Sequence, residues 1–484
     1  MIKYWENLIQ GLDLTEDTSL KSNLRTDLDF IFGPPGTGKT TELAKRIIKL
    51  IQQSKGKCKI LVLAPTNKAC DVLTEKILDH QIDDDTWLWR FVSTMSERIE
   101  REELVYDRSS DIAHQKKVCV ISTMARYSFD GFDTGLLNQV EWDYLIIDEA
   151  SMIPLYQIIP PLYNKNCKSV LIAGDPFQIE PIVHIDEWKG ENIYSLINLH
   201  DFVAHTTEPV QFNVETLMTQ YRSIPAIGEI YSQYMYGGKL RHNKSSDDHK
   251  VLNMGLSESP LNIISYPISK ETIFETKHLG YSNIHIYSVI FTVEFIKYLA
   301  DKISTSNQND SVRIGVLSPY GAEVQAIQKM FNQSNRQHEN IEVICGTSHG
   351  FQGDECDIVV VVMNPPASGL KRTADLTFIN KANILNVAIS RAKDYLFVLI
   401  PSKDYECFDS LYEIKRLGRI MSAQKCKFYS SDDLEKLMFG QVHYIENNTF
   451  VTTHQTTNVY SDPFAKYEIR IDDTAMDIQI NDEL

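Results

Sequence analysis

Short apolar segments rich in β-branched residues recur along the chain, and segments with helical periodicity separate them. They fall into a first series, 59–64, 118–122, 144–148 and 169–173, and a second, 215–219, 313–318, 342–346, 357–363 and 395–400. Continuously apolar strands that alternate with helices are typical of parallel sheets covered on both faces. The pattern therefore predicts an α/β fold with two domains that join near 203–212.

The polar segments set the predicted domain limits. We expect an N-terminal lead-in over 1–27, a first domain over 28–210, a second over 211–402 and an acidic C-terminal extension over 403–484. The charged segment 80–117 is long enough for a short helical insertion in the first domain. In the extension, the alternating "KYEIRI" predicts a small β-element.

The composition narrows the class of protein and its compartment. With 484 residues, 43% of them hydrophobic and 23% charged, the chain is typical of soluble proteins with two or three domains. It contains neither an apolar run of the length that a membrane helix needs nor a secretory signal at its start. Its eight cysteines are scattered, without the spacing of a zinc site, which favours free thiols and a cytoplasmic location.

The net charge of −17 is unevenly distributed. Residues 431–484 hold eleven acidic side chains against three Lys and Arg, whereas 39–76 hold nine Lys and Arg against three acidic side chains. Basic segments of this kind are candidate contacts for nucleic acid, despite the negative mean. Solvated helix faces explain each segment equally well when it is taken alone.

A phosphate-binding motif follows the strand-like "LDFIF" and precedes a helical segment. In GxxxxGK[ST] the glycines let backbone N–H groups close around phosphate oxygens, and the helix N-terminus adds its positive end. Lys39 should reach the β- and γ-phosphates, and the Thr40 hydroxyl should coordinate Mg²⁺. A glycine-rich turn without a ligand is the alternative, and the complete motif argues against it. The predicted ATP-binding residues here are Gly33, Pro34, Pro35, Gly36, Thr37, Gly38, Lys39, Thr40 and Thr41.

Two adjacent acids, Asp148 and Glu149, follow the apolar "YLII". At the carboxyl edge of a parallel sheet, where ligands bind, Asp148 would hold Mg²⁺ and Glu149 would activate the attacking water. Capping of the next helix is the alternative interpretation of such a pair. Beside a phosphate loop, the pair predicts hydrolysis of ATP as well as binding.

Further motifs follow one another along the chain: "LAPTNKACDVL", "ISTMARYS", "GDPFQ", "TQYRSIP", "GVLSPYGAEVQ", "GTSHGFQGDE" and "NVAISRA". Together with the phosphate loop and "DEAS", the set resembles superfamily 1 helicases, in the branch that contains the RNA helicase of nonsense-mediated decay and the Dna2-type helicase. The resemblance extends from about residue 29 to residue 400. It implies two tandem RecA-like P-loop NTPase domains, with ATP between them and single-stranded nucleic acid across the top.

The resemblance also implies roles for residues outside the phosphate loop. Gln178 would sense the γ-phosphate, Tyr221 would stack on the adenine, and Arg222 would reach the γ-phosphate. Arginines of this kind are more often members of surface salt bridges when they are considered singly, and the surrounding motifs reverse that expectation.

Three more residues are implied at the nucleotide. Gly353 and Glu355 of "FQGDE" would lie at the γ-phosphate and the ribose, and Arg391 of "SRA" would be the arginine finger. An arginine delivered from a second domain completes the site only when the cleft closes, which couples hydrolysis to domain movement.

Contacts with nucleic acid are implied at strand ends in both domains. Short polar groups and backbone amides suit phosphates, and an aromatic ring offers a stacking surface that ignores base identity. For Tyr320, packing in the core is an alternative of nearly equal weight. The implied residues are Pro65, Thr66, Asn67, Ser122, Thr123, Pro319, Tyr320, Thr347 and His349.

Two positions depart from the family pattern. The glutamine that usually reads adenine just before the phosphate loop is missing, so adenine recognition would rest mainly on Tyr221. Near the position where the "SPY" motif usually carries glutamine, this chain has Glu323.

These observations predict an ATP-dependent translocase and helicase on single-stranded nucleic acid, and the 5′-to-3′ direction follows from the resemblance alone. A nucleotide-switched binding or signalling ATPase that does not unwind is the alternative, and the intact Glu149, Gln178, Arg222 and Arg391 favour the motor. Backbone contacts and stacking serve DNA and RNA alike. The predicted cofactors are ATP and Mg²⁺, and the partner is single-stranded DNA or RNA. The acidic extension is a candidate docking element for a protein, and no membrane partner is expected.

Overall fold

The computed structural model describes most of the chain between residues 27 and 447. The exceptions are 81–85, 92, 107–111, 131–134, 165–166, 182, 184–187, 189–191, 197–198, 200–212, 269–275, 280–281, 307–310, 335–337, 352, 365–377 and 404–407. Beyond 447 it describes the backbone of Tyr467–Ile471 and Met476–Ile480. The chain divides into two compact units, Met1–Tyr221 and Arg222–Leu484. The lead-in up to residue 26 and the predicted join at 203–212 lie outside the described residues.

The first unit is built on a parallel sheet. Its described strands are β1 (Asp27–Phe32), β2 (Cys58–Ala64), β3 (Leu88–Phe91), β4 (Val105–Tyr106), β5 (Lys117–Thr123), β6 (Tyr144–Ile147), β7 (Ser169–Gly174) and β8 (Asn213–Thr216). They lie in the order β4–β3–β5–β2–β6–β7–β1–β8, and each neighbouring pair is parallel. Every residue of β2 is buried, as the continuously apolar sequence predicts for a central strand. A short strand, β9 (Thr219–Gln220), follows β8.

Helices cover this sheet. They are α1 (Lys39–Gln53), α2 (Asn67–Leu78), α3 (Glu97–Arg101), α4 (Met124–Asp130), α5 (Leu136–Gln139), α6 (Leu155–Asn164) and α7 (Ile193–Leu196), with a 3₁₀ turn at Ala150–Met152. In α1 the apolar residues recur at helical spacing, and Leu43, Ile47 and Ile51 join Ile60 and Val62 of the sheet in one hydrophobic core. Burial of this face fixes the helix that begins at the phosphate loop.

Two sequence predictions for the first unit need correction. The insertion over 80–117 is not simply helical, because it contributes β3 and β4 to the edge of the sheet and one short helix, α3. Its strands have only four and two residues, and β3 contains the charged Arg90, so their periodicity is too weak to indicate a sheet edge. The segment predicted as the strand 215–219 of the second series is β8, which pairs with β1 in the first sheet.

The second unit is built on another parallel sheet. Its short first strand is β10 (Arg241–His242), and its sheet strands are β11 (Leu261–Tyr266), β14 (Val312–Ser318), β15 (Ile341–Thr347), β16 (Cys356–Val362), β17 (Ala392–Pro401) and β18 (Lys427–Ser430). The order is β15–β14–β16–β17–β11–β18. Two antiparallel hairpins stand apart from this sheet, β12 (Lys277–Leu279) with β13 (Ser282–Ile284), and β19 (Tyr467–Ile471) with β20 (Met476–Ile480). The second hairpin contains the predicted β-element of the extension.

The described helices of the second unit are α8 (Pro225–Met235), α9 (Ile286–Ser306), α10 (Gly321–Gln333), α11 (Ala382–Ile389), α12 (Tyr412–Ala423) and α13 (Ser431–Phe439). Short 3₁₀ turns lie at Ser246–Asp248 and Phe408–Ser410. The long helix α9 is buried along most of its length, in keeping with its largely apolar sequence. Within the described residues, none of the helices combines the length and the apolar character that crossing a membrane requires.

The predicted boundary at 402–403 also needs correction, because part of the extension belongs to the core of the second unit. Strand β18 pairs with β11 at the edge of the sheet, and a capping box between Ser430 and Asp433 starts α13 directly after it. Leu434 joins the hydrophobic core, and the Tyr287 hydroxyl donates to Glu435 Oε1 over 2.5 Å. The acidic composition of the segment concealed this short amphipathic helix.

This packing can be tested within a single helix. Leu434 is 2% exposed and Leu437 is 46% exposed. We expect Leu434→Ala to lower the free energy of unfolding of the second unit by about 2–5 kcal/mol, because it leaves a cavity in the core. The matched control, Leu437→Ala, should change it by about 0.5 kcal/mol or less. Urea unfolding followed by circular dichroism measures both, and equal effects would show that α13 is not a core element.

Candidate nucleotide site and nucleic-acid interface

The phosphate loop connects β1 to α1 and is closed by its own backbone. Gly36 and Gly38 have φ values of 72° and 86°, in the left-handed region that favours glycine. The Thr37 hydroxyl donates to the Pro34 carbonyl over 2.7 Å. Gly38 is the N-cap of α1 and no side chain caps it, so the first N–H groups of the helix are available to an anion. The local geometry is that of a phosphate cradle.

Lys39 lies between this loop and the acidic strand end. Its side chain is almost fully buried, and Nζ donates to the Gly33 carbonyl over 2.8 Å. The same Nζ is 3.9 Å from Glu149 Oε1. One cation is thus held between a carbonyl that belongs to the loop and a carboxylate that belongs to the strand end.

The two acids follow β6, and their environments differ. Asp148 is buried, and its Oδ1 accepts a hydrogen bond from the Glu149 N–H over 2.9 Å. Burial, together with the charge of Glu149, raises the pKa of Asp148 to about 7, against the opposing effect of Lys39. Glu149 has a φ of 48°, a left-handed conformation that is unusual for a residue other than glycine. Such strain tends to cluster at functional sites.

The loop after β7 lies beside the phosphate loop. The Gly33 N–H donates to the carbonyl of Gly174, the last residue of β7, over 3.1 Å. Asp175 then organises the turn, because its carbonyl accepts from Gln178 N–H and its Oδ1 accepts from Phe177 N–H. Gln178 is 2% exposed. The structure therefore brings the predicted γ-phosphate sensor to the strand end next to the phosphate loop.

Tyr221 reaches the phosphate loop through its backbone. Its N–H donates to the Gly36 carbonyl over 2.8 Å, and its side chain is 54% exposed. An exposed ring at this position is available for stacking on a purine. The structure confirms proximity to the loop, and the adenine contact stays a prediction.

In the second unit, Arg222 belongs to an ion cluster around Glu355. Arg222 Nε lies 2.9 Å from Glu355 Oε2, and Lys393 Nζ lies 2.8 Å from Oε1. Burial alone would raise the pKa of Glu355, but the two cations outweigh it and lower the pKa to about 2. Lys393 was not among the predicted site residues, although it lies two positions after Arg391 in "SRAKD".

Arg391 is held by the backbone around the same cluster. It is 2% exposed, and its guanidinium donates to the carbonyls of Val387 and Asp354 over 3.1 and 3.4 Å. The Cys356 N–H donates to the Arg391 carbonyl, which ties "SRA" to the end of "FQGDE". Gly353 has a φ of 91° in the exposed turn before these residues. The motifs are thus brought together, and the finger role of Arg391 stays a prediction.

The predicted strand contacts of the first unit gather at the carboxyl ends of β2 and β5. These strands pair in register, with Ala64 opposite Thr123. The Thr66 hydroxyl accepts from Ala69 N–H and caps α2, and the Thr123 hydroxyl accepts from Arg126 N–H, each over 3.1 Å. Pro65 and Asn67 flank Thr66, and Asn67 is exposed. Ser122 is fully buried, so its side chain is not presented to a ligand at the surface.

The corresponding residues of the second unit follow β14 and β15. Ser318 and Thr347 are register partners, which places Pro319 and His349 beyond adjacent strand ends. The Thr347 hydroxyl accepts from Gly350 N–H over 3.2 Å. Burial lowers the pKa of His349, and Lys381 lowers it further. Each contact with a nucleic acid stays a prediction.

The ring of Tyr320 favours the alternative of core packing. It is 7% exposed, and its centroid lies 5.7 Å from that of Phe378. A base cannot stack on a ring whose faces are covered, so the predicted stacking surface is not present in this conformation.

Glu323 is a buried carboxyl that the sequence motifs did not explain. Its Oε2 accepts from His285 N–H over 2.8 Å and from Asn364 Nδ2 over 3.2 Å. Burial raises its pKa to about 8, although hydrogen bonds from Ser288 and His285 oppose the shift. The Ser288 hydroxyl contacts both Glu323 Oε1 and the His285 carbonyl with one hydrogen. A protonated Glu323 can donate to Ser288 and satisfy both contacts.

Sequence models of known protein families match both halves of the chain. Two sequence models of the family described as AAA domain match it, one over residues 17–184 and the other over 199–403. These matches, the phosphate loop, the acid pair and the two parallel sheets agree with the predicted fold of two tandem RecA-like P-loop NTPase regions.

The similar proteins include named helicases. The helicase mov-10-B.1 of Danio rerio is 23% identical over 403 residues, which cover 76% of this chain and 39% of that protein. The RNA helicase armi of Drosophila melanogaster is 23% identical over 94% of this chain and 42% of that protein. The regulator of nonsense transcripts 1 homolog of the same organism is 24% identical over 80% of this chain and 34% of that protein. The resemblance to superfamily 1 helicases is confirmed, and the chain spans less than half of each relative.

Among solved structures, arterivirus nonstructural protein 10, a helicase in complex with DNA, aligns with 81% of this chain and 64% of that chain. The identity is 12% and the TM-score is 0.37, too low for the alignment to support an argument.

The buried Glu323 generates a prediction about pH. The folded chain keeps this carboxyl protonated up to a pKa of about 8, whereas the unfolded chain ionises it near 4.5. The contribution of protonated Glu323 to the free energy of unfolding is therefore fully present below pH 4.5. It is lost as the pH rises towards 8, by at most about 1.4 kcal/mol per pH unit. Glu323→Gln does not ionise, and its amide can donate to Ser288. We expect its free energy of unfolding, relative to the unmodified chain, to rise steadily from pH 5 to pH 8. Urea unfolding at several pH values measures this difference, and a difference independent of pH would contradict it.

Proposed function

We propose that the chain is the motor of an ATP-dependent helicase that translocates on single-stranded nucleic acid. One observation carries the proposal: the uncapped phosphate loop, Lys39 and the acids Asp148 and Glu149 converge at one edge of the first sheet, with Lys39 Nζ 3.9 Å from Glu149. A carboxylate in this position can activate water, which a site for binding alone does not need.

The chemistry proposed for each side chain is the one that its motif implies, and its position in the structure supports the assignment. Lys39 would leave its contacts with Gly33 and Glu149 to neutralise the β- and γ-phosphates of ATP. Glu149 would accept a proton from the attacking water, and Gln178 would orient that water against the γ-phosphate. Tyr221 would hold the adenine by stacking. Since stacking reads a purine face and not its edge, discrimination between ATP and GTP should be weak.

Arg222 and Arg391 would stabilise the charge that develops on the γ-phosphate. Arg222 is paired with Glu355 and Arg391 with backbone carbonyls, so neither guanidinium is exposed as an isolated charge. We assign Gly353 to the γ-phosphate and Glu355 to the ribose. Exchange of these internal partners for phosphate oxygens would link hydrolysis to a change in conformation.

Magnesium fits the residues at this edge. Asp148 is buried beside a second carboxylate, Glu149, and carboxylate oxygens are the ligands that a divalent cation of this kind prefers. Thr40, in the first turn of α1, would supply a hydroxyl ligand and Asp148 the protein carboxylate. The ion would polarise the phosphate oxygens.

RNA is the proposed strand, because relatives of this chain are named as RNA helicases. Contacts would come from the backbone and short side chains after β2, β5, β14 and β15. The proposed direction is 5′ to 3′. A cytoplasmic location accords with the free thiols of the described cysteines. We also propose that the part of the extension beyond β18 and α13 docks a protein partner.

The acid and lysine assignments predict two separable defects. Lys39→Ala should weaken ATP binding, because it removes the phosphate contact. Glu149→Gln should retain ATP and lose about 10²–10⁴-fold in hydrolysis, the usual contribution of a general base. Steady-state ATPase rates and equilibrium nucleotide binding measure the two effects. Hydrolysis by Glu149→Gln at the unmodified rate would exclude Glu149 as the base.

A motor and a nucleotide switch should respond differently to added single strands. A motor should hydrolyse ATP faster when single strands are added and should unwind a duplex that carries a 5′ tail. Matched RNA and DNA duplexes with 5′ or 3′ tails test strand type and direction together. ATP hydrolysis that strands do not stimulate, without unwinding of any substrate, would favour the switch. Unwinding only from a 3′ tail would reverse the proposed direction.

A further inference from the structure

A buried arginine lies directly behind the loop after β2. Arg90, in β3, is 1% exposed, and all three of its guanidinium nitrogens are engaged. Nε donates to Asp71 Oδ1 over 2.8 Å, and Nη2 donates to Asn67 Oδ1 over 2.9 Å. Nη1 donates to the carbonyls of Phe91 and Ile121 over 3.0 and 3.4 Å. One side chain therefore joins β3, β5 and the start of α2.

Asp71, the ion-pair partner of Arg90, also binds the backbone after β3. Asp71 lies in α2 and is almost fully buried, and its second oxygen, Oδ2, accepts from Met95 N–H over 2.9 Å. A buried guanidinium and carboxylate hold a defined geometry, since any displacement leaves a charge without its partner in a poorly solvated place. Asp71 thus connects Arg90 in β3 and the backbone at Met95 to the first turns of α2.

The contact with Asn67 fixes the orientation of an exposed amide. Arginine has no acceptor, so the atom of Asn67 that faces Arg90 must be the carbonyl oxygen. The Nδ2 group then carries its two hydrogens away from Arg90, on a residue that is exposed beside Thr66. If the amide were rotated by 180°, Asn67 Nδ2 would face Arg90 Nη2, and both groups are donors. Arg90 thus determines that Asn67 offers donors at this strand end.

We propose that Arg90, held by Asp71, is a positioning residue that presents the Asn67 amide as a hydrogen-bond donor to a phosphate of the bound strand. The inference rests on the proposed function. Phosphate oxygens only accept hydrogen bonds, so they are recognised by donors held in place. Thr66 caps α2 as an acceptor, and within the described residues no partner fixes the direction of its O–H, whereas Arg90 holds the Asn67 amide in one orientation.

A double-mutant cycle tests the positioning role. Arg90→Lys keeps the charge beside Asp71, but an ammonium cannot reproduce the fork that also holds Asn67. Asn67→Ala removes the amide itself. Each should weaken binding of fluorescein-labelled oligouridine by about tenfold, the size of a hydrogen bond to a charged group. Because Arg90 acts through Asn67, the double variant should lose about tenfold and not the hundredfold of independent sites.

The matched control is Arg98→Lys, which alters an exposed ion pair with Asp79 in the same part of the unit, 2.7 Å between Arg98 Nη1 and Asp79 Oδ1. It should leave strand affinity unchanged. Affinity for an ATP analogue and thermal unfolding are measured in the same samples. If Arg90→Lys lowers strand and nucleotide affinity equally, or if the two losses multiply, Arg90 is only structural and the inference is wrong.

A second variant covers the case in which Arg90→Lys does not fold. Asn67→Asp keeps the acceptor for Arg90 and removes both amide hydrogens, so strand affinity should fall by at least tenfold in a folded protein. Unchanged affinity would overturn the inference while leaving the motor proposal intact. If the unmodified chain binds neither oligouridine nor oligothymidine, the proposed function fails and the inference fails with it.

Discussion

Parallel pairing brings the carboxyl ends of all strands in a sheet to one edge, and the candidate site depends on this constraint. In the first unit, the phosphate loop follows β1, the acids follow β6 and the Gln178 turn follows β7, and these strands are neighbours in the sheet. The loops after β2 and β5 end at the same edge, because Ala64 and Thr123 are register partners. Residues far apart in sequence therefore become neighbours through the backbone pairing of their strands.

Charged side chains are organised in three different ways in the two units. Asp148 has a carboxylate beside it, and its pKa rises. Glu355 has two cations beside it, and its pKa falls. Arg90 is paired with Asp71 and is surrounded by neutral oxygens. A cation would stabilise the first arrangement, the second holds Arg222 and Lys393 in place, and the third fixes the geometry of Arg90. The sign and number of the charged neighbours decide what each group can do.

The fold class and the nucleotide motifs could be predicted because both leave strong local signals. Long apolar strands such as β5 and β16 are unmistakable, and the phosphate loop has a fixed spacing. The strands β3 and β18 could not be predicted, since they are short, carry charges and are stabilised by partners distant in sequence. The same reason explains the side chains that were missed. Lys393 and Arg90 were not identified from the sequence, and Glu323 was identified only as a departure from the family pattern. All three acquire their importance from tertiary neighbours, and the burial of Tyr320 depends on Phe378.

The left-handed backbone at Glu149 lowers the stability of the fold, while the proposed chemistry needs the carboxylate at this position. A residue with a side chain in that conformation costs about 1–3 kcal/mol, and glycine would remove most of the strain. Selection for heat resistance alone would favour the loss of the carboxylate at this position. A laboratory programme that stabilises this chain without a parallel screen for activity would therefore tend to discard the proposed general base early, while the fold improved.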